Sequence, residues 1–264
     1  MSLIAGALLL QTKVPCWRVS DMGQRLKKGT PLPDGCTLRP FTAMGNPGCP
    51  VTVQTGWNDS GLAILVEVTN KSKPPEGDAT RPHLADGVSL WLNTRGSLSG
   101  KRANGYCHLL HLLPVGGGDD KTEPVICQGK IPRALEEAPA IPLSKIFFRS
   151  RLQHGGYTVA ALIPQGALHG FDFDENRTLS FAIKVQDAER GALISCADLD
   201  VNHDEDPSWW DWLQLRDEPP PGEPGSINDL ASKPKQAPSN LDPFKDEPVA
   251  KQPRRGRRKA GENG

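Results

Sequence analysis

Residues 86–95, DGVSLWLNTR, decide the fold. Val88, Leu90 and Leu92 alternate with Ser89 and Trp91, so one face is aliphatic and the other carries a hydroxyl and an indole. Successive side chains of a strand point to opposite faces, whereas a helix would scatter this trio around its circumference. The segment therefore reads as a strand with its trio turned to a core.

The same period recurs on either side. In residues 61–70 (GLAILVEVTN), Leu62, Ile64, Val66 and Val68 fall on one face. Residues 106–113 (YCHLLHLL) are apolar on both faces and read as an inner strand. Residues 157–163 (YTVAALI), 179–185 (LSFAIKV) and 212–215 (WLQL) complete the series. Pro74-Pro75, Gly116-Gly117-Gly118, Gly155-Gly156 and Gly170 punctuate the runs, as turns require. Residues 160–168 hold the one short helical turn expected, introduced by Pro164. Residues 1–10 (MSLIAGALLL) read as a first strand. No Lys or Arg precedes the run, and it is too short for a signal peptide or a bilayer span. Short strands without βαβ spacing predict an all-β fold, a two-sheet antiparallel sandwich of immunoglobulin or jelly-roll type.

From Arg216 the composition changes. Residues 216–264 hold nine prolines and almost no aromatic or β-branched residues, too little apolar surface to offset ordering entropy. One domain over 1–215 and a disordered tail over 216–264 are expected. The chain has 31 basic and 31 acidic residues and a formal net charge of +0, with no global field to steer a polyanion. A weak nucleic-acid contact is conceivable only at the tail's Arg254, Arg255, Arg257, Arg258 and Lys259, which otherwise form a solvated basic end. No membrane partner is expected. The six cysteines are widely spaced, with no CxxC pair, which fits scattered thiols in a reducing, cytoplasmic setting. A Cys36–Cys49 bridge becomes an option only in an exported protein.

Several segments together resemble the family 9-like carbohydrate-binding module, a β-sandwich related to the DOMON superfamily. Residues 57–68 (WNDSGLAILVEV) are similar to its strand after a residue-bearing turn, and 86–95 to its hallmark D-s-v-e-v-f-i-D-t-r strand. Residues 106–118 resemble the strand that follows. Residues 155–168 (GGYTVAALIPQGAL), 181–190 (FAIKVQDAER) and 207–215 (PSWWDWLQL) resemble its later segments in the family's order. The resemblance covers about residues 7–215 and is nearest to bacterial proteins that consist of little more than this module. It implies a sandwich and sugar binding. Ser89 and Asn93 stand where the hallmark usually carries Glu and Asp, and Ala160 where a Glu is frequent. Those losses weaken any inherited metal site and the usual sugar contacts.

Sugar recognition needs flat aromatic faces for pyranose C–H groups and fixed polar groups for hydroxyls. Trp91, opposite the aliphatic trio, Trp57 in its turn and Trp209 near the last strand are the candidate platforms. Asn93 and Arg95 are the candidate polar partners, although an arginine of this kind more often ends in a surface ion pair. Asp198, Asp200, Asn202 and Asp204 alternate like the start of a calcium loop. His203 replaces the loop glycine, however, and Trp209 the bidentate Glu, so an EF-hand is excluded. Irregular Ca²⁺ binding by Asp204, Glu205 and Asp206 is the metal site the residues leave open, against a plain solvated acidic loop. No other cofactor is implied. His108 and His111 lie an odd number apart and so point to opposite faces of a strand, which excludes a shared zinc. No GxSxG, HExxH, P-loop or GxGxxG motif occurs, so no enzyme is expected. Asp86, Asp187 and Glu67 can be judged as a glycosidase pair only from distances. The expected function is non-catalytic binding of a glycan through an aromatic and polar cleft. The alternative is a structural or protein-interaction sandwich that has lost its sugar.

Overall fold

The computed structural model describes residues 13–38, 50–96, 101–194 and 202–223. Among the described residues eleven strands run in chain order: β1 (Lys13–Arg18), β2 (Val51–Asn58), β3 (Gly61–Val68), β4 (Gly87–Asn93), β5 (Cys107–Gly117), β6 (Glu123–Gly129), β7 (Phe147–Gln153), β8 (Gly156–Ile163), β9 (Thr178–Asp187), β10 (Gly191–Ile194) and β11 (Asp211–Arg216). A helix, α1 (Met22–Lys28), follows β1. Among the described residues no helix is long and apolar enough to cross a membrane.

The strands form one hydrogen-bonded ladder in the order β6-β5-β4-β9-β11-β1-β2-β3-β8-β7, with β10 on β9. The ladder turns over on itself, so that β5 and β6 lie against β7 and β8 and the whole is a sandwich. Its pairs are antiparallel except at β1, which runs parallel to both β11 and β2. The expected antiparallel sandwich is thus joined through one parallel strand, and its two layers are continuous.

Register explains the core. Val88, Leu90 and Leu92 on β4 oppose Val185, Ile183 and Phe181 on β9, while Val88 and Leu90 oppose Leu112 and Leu110 on β5. These meet Leu62, Ile64, Val66, Val159, Ala161 and Ile163 of the other layer in one buried cluster. The outer face of β3 is also covered, since Ala63 and Leu65 pack with Ala160 beneath Met22 and Leu26 of α1. Met22 and Leu26 are four apart and share one helix face. Gly29 ends α1 in the left-handed region at φ 73°, as glycine readily does.

Two expectations change. The helix lies at 22–28, whereas residues 164–170 form turns, because Pro164 and glycines at 166 and 170 with positive φ break up a helical ladder. Second, the packed chain continues past Leu215. Arg216 O accepts the Trp57 indole N–H at 2.8 Å, Arg18 N–H bonds Glu218 O at 3.2 Å, and Pro220 is buried. The first described strand, β1, begins at Lys13. The strand expected over 1–10, Cys49 and the tail beyond Glu223 with its basic end lie outside the described residues.

Candidate functional site

The structure places Trp91 on the outer face of β4, opposite the aliphatic trio, but covers it. It is 4% exposed and packs with Leu109 and Cys107 of β5, Ala182 of β9, and Ala103, Ile131 and Trp210 from loops. The His203 ring meets it edge-on at 5.3 Å. Trp57, 1% exposed, lies edge-on to Phe173 at 5.3 Å, with Arg18 and Arg177 near its ring at 5.0 and 4.8 Å. Neither indole is open to stack on a sugar, so the platform expected from these two is absent. Asn93 is buried, and its Oδ1 accepts the Arg95 N–H at 3.0 Å. Arg95 Nη1 is 2.7 Å from Glu175 Oε2 and its guanidinium lies over Tyr106 at 5.1 Å. This arginine has taken the surface ion pair.

Trp209 is different: it is partly exposed and lines a cleft of about 520 Å³ with Lys101, Arg102, Arg133, Asn202, Glu205 and Asp206. The layer over Trp91 is what builds this cleft. Three loops converge there, from between β4 and β5, between β6 and β7, and before β11. Leu135 N–H bonds Ala103 O at 2.8 Å, and Arg102 Nε bonds Arg133 O at 2.6 Å. Glu205 and Asp206 N–H groups both reach Asn202 O, at 3.1 and 2.8 Å. The Trp210 indole N–H anchors the last loop on His203 O at 2.6 Å. Arg133 holds a left-handed backbone at φ 55°, unusual for a side-chain-bearing residue and costing about 1–2 kcal/mol. Its Nη1 lies 3.3 Å from Glu205 Oε2. Lys101, Arg102 and Arg133 carry no local motif, and only the convergence of distant loops brings them to Trp209.

Of the three acids expected for calcium, two are separately engaged. Glu205 faces Arg133, Asp206 Oδ1 accepts the Ser208 N–H at 2.9 Å as a cap for the turn at Pro207–Trp209, and Asp204 is exposed. Among the described residues no three His, Cys, Asp or Glu side chains converge to hold a metal ion. His108 and His111 do lie on opposite faces. His108 Nε2 is 3.3 Å from His169 O, and His111 Nδ1 is 2.9 Å from Ser89 Oγ. Burial holds both imidazoles down to about 4, helped at His111 by the charges of His83 and Lys184.

A second polar cluster is structural. Lys71 Nζ lies 2.9 Å from Asp86 Oδ1, 3.0 Å from Asp187 Oδ1 and 3.4 Å from Glu189 Oε1. Asp86 also accepts the N–H groups of Glu76 and Ala188, and Asp187 that of Glu189. Burial alone would favour the neutral amine. The hydrogen bonds and charges of Asp86 and Asp187 outweigh it, and Lys71 stands above the ordinary lysine value. Hydrogen bonds from the Ser72 hydroxyl and the Lys73 and Ser72 N–H groups hold Glu189 down to about 2. Asp86 and Asp187 share one sequestered ammonium, which leaves neither placed as a glycosidase acid.

No protein-family model matches the sequence, and no curated protein matches it. Solved structures do. A family 9 carbohydrate-binding module from Caldicellulosiruptor kristjanssonii, in complex with cellotriose, matches over 78% of this chain and 95% of its own, with TM-score 0.50 and 14% identity. A candidate carbohydrate-binding protein from Bacteroides uniformis matches over 78% of this chain and 100% of its own, with TM-score 0.50 and 13% identity. The chain has the fold of a family 9-like carbohydrate-binding module.

Proposed function

We propose that this protein is a non-catalytic carbohydrate-binding module that holds a glycan in the cleft at Trp209. The observation that carries this reading is the cleft itself, which sets a partly exposed indole among three cationic and three further polar side chains. An indole face takes pyranose C–H groups, and fixed polar groups orient the hydroxyls. Its volume of about 520 Å³ suits a small ligand. The C. kristjanssonii module of the same fold is in complex with cellotriose, which supports the ligand class. The polar partners of the platform then come from loops rather than from Asn93 and Arg95.

A non-catalytic role fits the carboxylates. Asp86 and Asp187 are tied to Lys71, and Glu205 to Arg133. A glycan array probed with the intact chain and with Trp209→Ala tests the proposal. Glycan signals that vanish in the variant are expected. An array empty for the intact chain contradicts sugar binding and favours the interaction-module alternative, to which the burial of Trp57 and Trp91 already lends support.

A further inference from the structure

We propose that the glycan taken by the Trp209 cleft is anionic, with a uronic-acid carboxylate as the group recognised; this rests on the carbohydrate-binding reading above. The cleft holds three cations, Lys101, Arg102 and Arg133, and two acids, Glu205 and Asp206. Both acids are already engaged, Glu205 by Arg133 and Asp206 by the Ser208 N–H. Lys101 and Arg102 are exposed, and among the described residues neither lies within ion-pair distance of a carboxylate. Lys101 and Arg102 thus stand unpaired beside one aromatic face, and three cations against two acids leave the cleft with a net positive charge.

Arg102 is also oriented. Its Nε donates to Arg133 O at 2.6 Å and its Nη2 to Ala134 O at 3.5 Å, which fixes the plane of the guanidinium and leaves Nη1 for a ligand. A donor already held in place loses little entropy when it binds. A charge-assisted bond from Arg to a carboxylate is about twice as strong as a neutral one. A uronic acid carries its carboxylate at the edge of the pyranose ring. A ring stacked on an indole therefore presents that group sideways, toward cations on the neighbouring wall. A neutral sugar would crowd Lys101 and Arg102 without giving either a counter-charge.

Titration calorimetry with an oligogalacturonate trimer, cellotriose and a sulfated trisaccharide without carboxylates, at low and at physiological ionic strength, tests this. The galacturonate trimer is expected to bind about tenfold tighter than cellotriose at low salt, with the gap narrowing as salt rises. Lys101→Gln and Arg102→Gln are each expected to shrink that ratio severalfold, and because Lys101 is exposed, Lys101→Gln does not put folding at risk. Cellotriose binding as tightly as the uronate, or a ratio unmoved in both variants, overturns the anionic assignment while sparing the carbohydrate reading. Tighter binding of the sulfated sugar than of the uronate overturns the carboxylate assignment. No binding of any of the three overturns both readings.

Discussion

Lys71 Nζ and Asp86 Oδ1 lie 2.9 Å apart, with both side chains only 1% exposed. The lysine comes just after β3, Asp86 just before β4 and Asp187 at the end of β9, so one ammonium ties three strand ends. Breaking such a pair leaves buried charge without a partner, at a cost of about 3–5 kcal/mol. Lys71→Met is therefore expected to lower the melting temperature by about 6–20 degrees in thermal denaturation. A change of only a few degrees would show that the cluster is hydrated and weak.

Acid sensitivity follows from His108 and His111, held down to about 4 by burial. Between about pH 6.5 and 4 the unfolded chain binds these protons and the folded chain does not, so stability falls as pH falls. The expected loss from pH 7 to pH 5 is about 1–2 kcal/mol per histidine. The double variant His108→Gln/His111→Gln should flatten that slope in denaturant titrations at the two pH values. An unchanged slope would assign the sensitivity elsewhere. Glu189, held down to about 2, contributes stability that is present above the ordinary glutamate value and lost only as pH falls toward about 2.

Two tryptophans should separate stability from binding. Trp91→Ala empties the layer between β4 and the cleft loops and is expected to cost about 3–5 kcal/mol. Trp91→Phe keeps the aromatic packing and removes an indole N–H that has no hydrogen-bond partner among the described residues. It should cost less than Trp91→Ala, because it leaves the smaller cavity. Trp209→Ala, at a partly exposed site, should cost under about 1 kcal/mol and abolish glycan retention. Equal destabilisation by Trp91→Ala and Trp209→Ala in denaturant unfolding would contradict this assignment of layers.

Gly61, which opens β3, has φ 147°, and a Cβ there would lie 2.1 Å from Ile163 O across the β3–β8 pair. Gly61→Ala is expected to cost about 3 kcal/mol, since both the backbone and the ladder oppose it. A melting temperature equal to that of the parent chain would show that this edge relaxes freely.

Strands whose two faces differ, or whose apolar run is unbroken, were legible. β3, β4, β5, β8, β9 and β11 all fall where alternation in the sequence puts them. β6 and β7 were not, because Glu123–Gly129 and Phe147–Gln153 are half-buried or exposed along most of their length and carry a weak period. α1 spans only about two turns, too few for its apolar face to recur more than once, although Met22, Leu26 and Gly29 mark its face and its end. The facing of Trp91 was readable from its strand, but its cover was not. Ile131 and Trp210 arrive from loops far away in the chain. The cleft hides for the same reason, since Arg102, Arg133 and Glu205 meet only through loop-to-loop hydrogen bonds and an ion pair.

The indole N–H resonances of the six tryptophans offer the most direct test of glycan binding at the Trp209 cleft. In a titration with oligogalacturonate or cellotriose, the Trp209 resonance, assigned by its loss in Trp209→Ala, is expected to shift progressively to saturation. Those of Trp57 and Trp17, which lie outside the cleft and its supporting layer, should hold their positions. A saturable shift centred on Trp57, or no shift at any indole, would contradict the cleft as the glycan site.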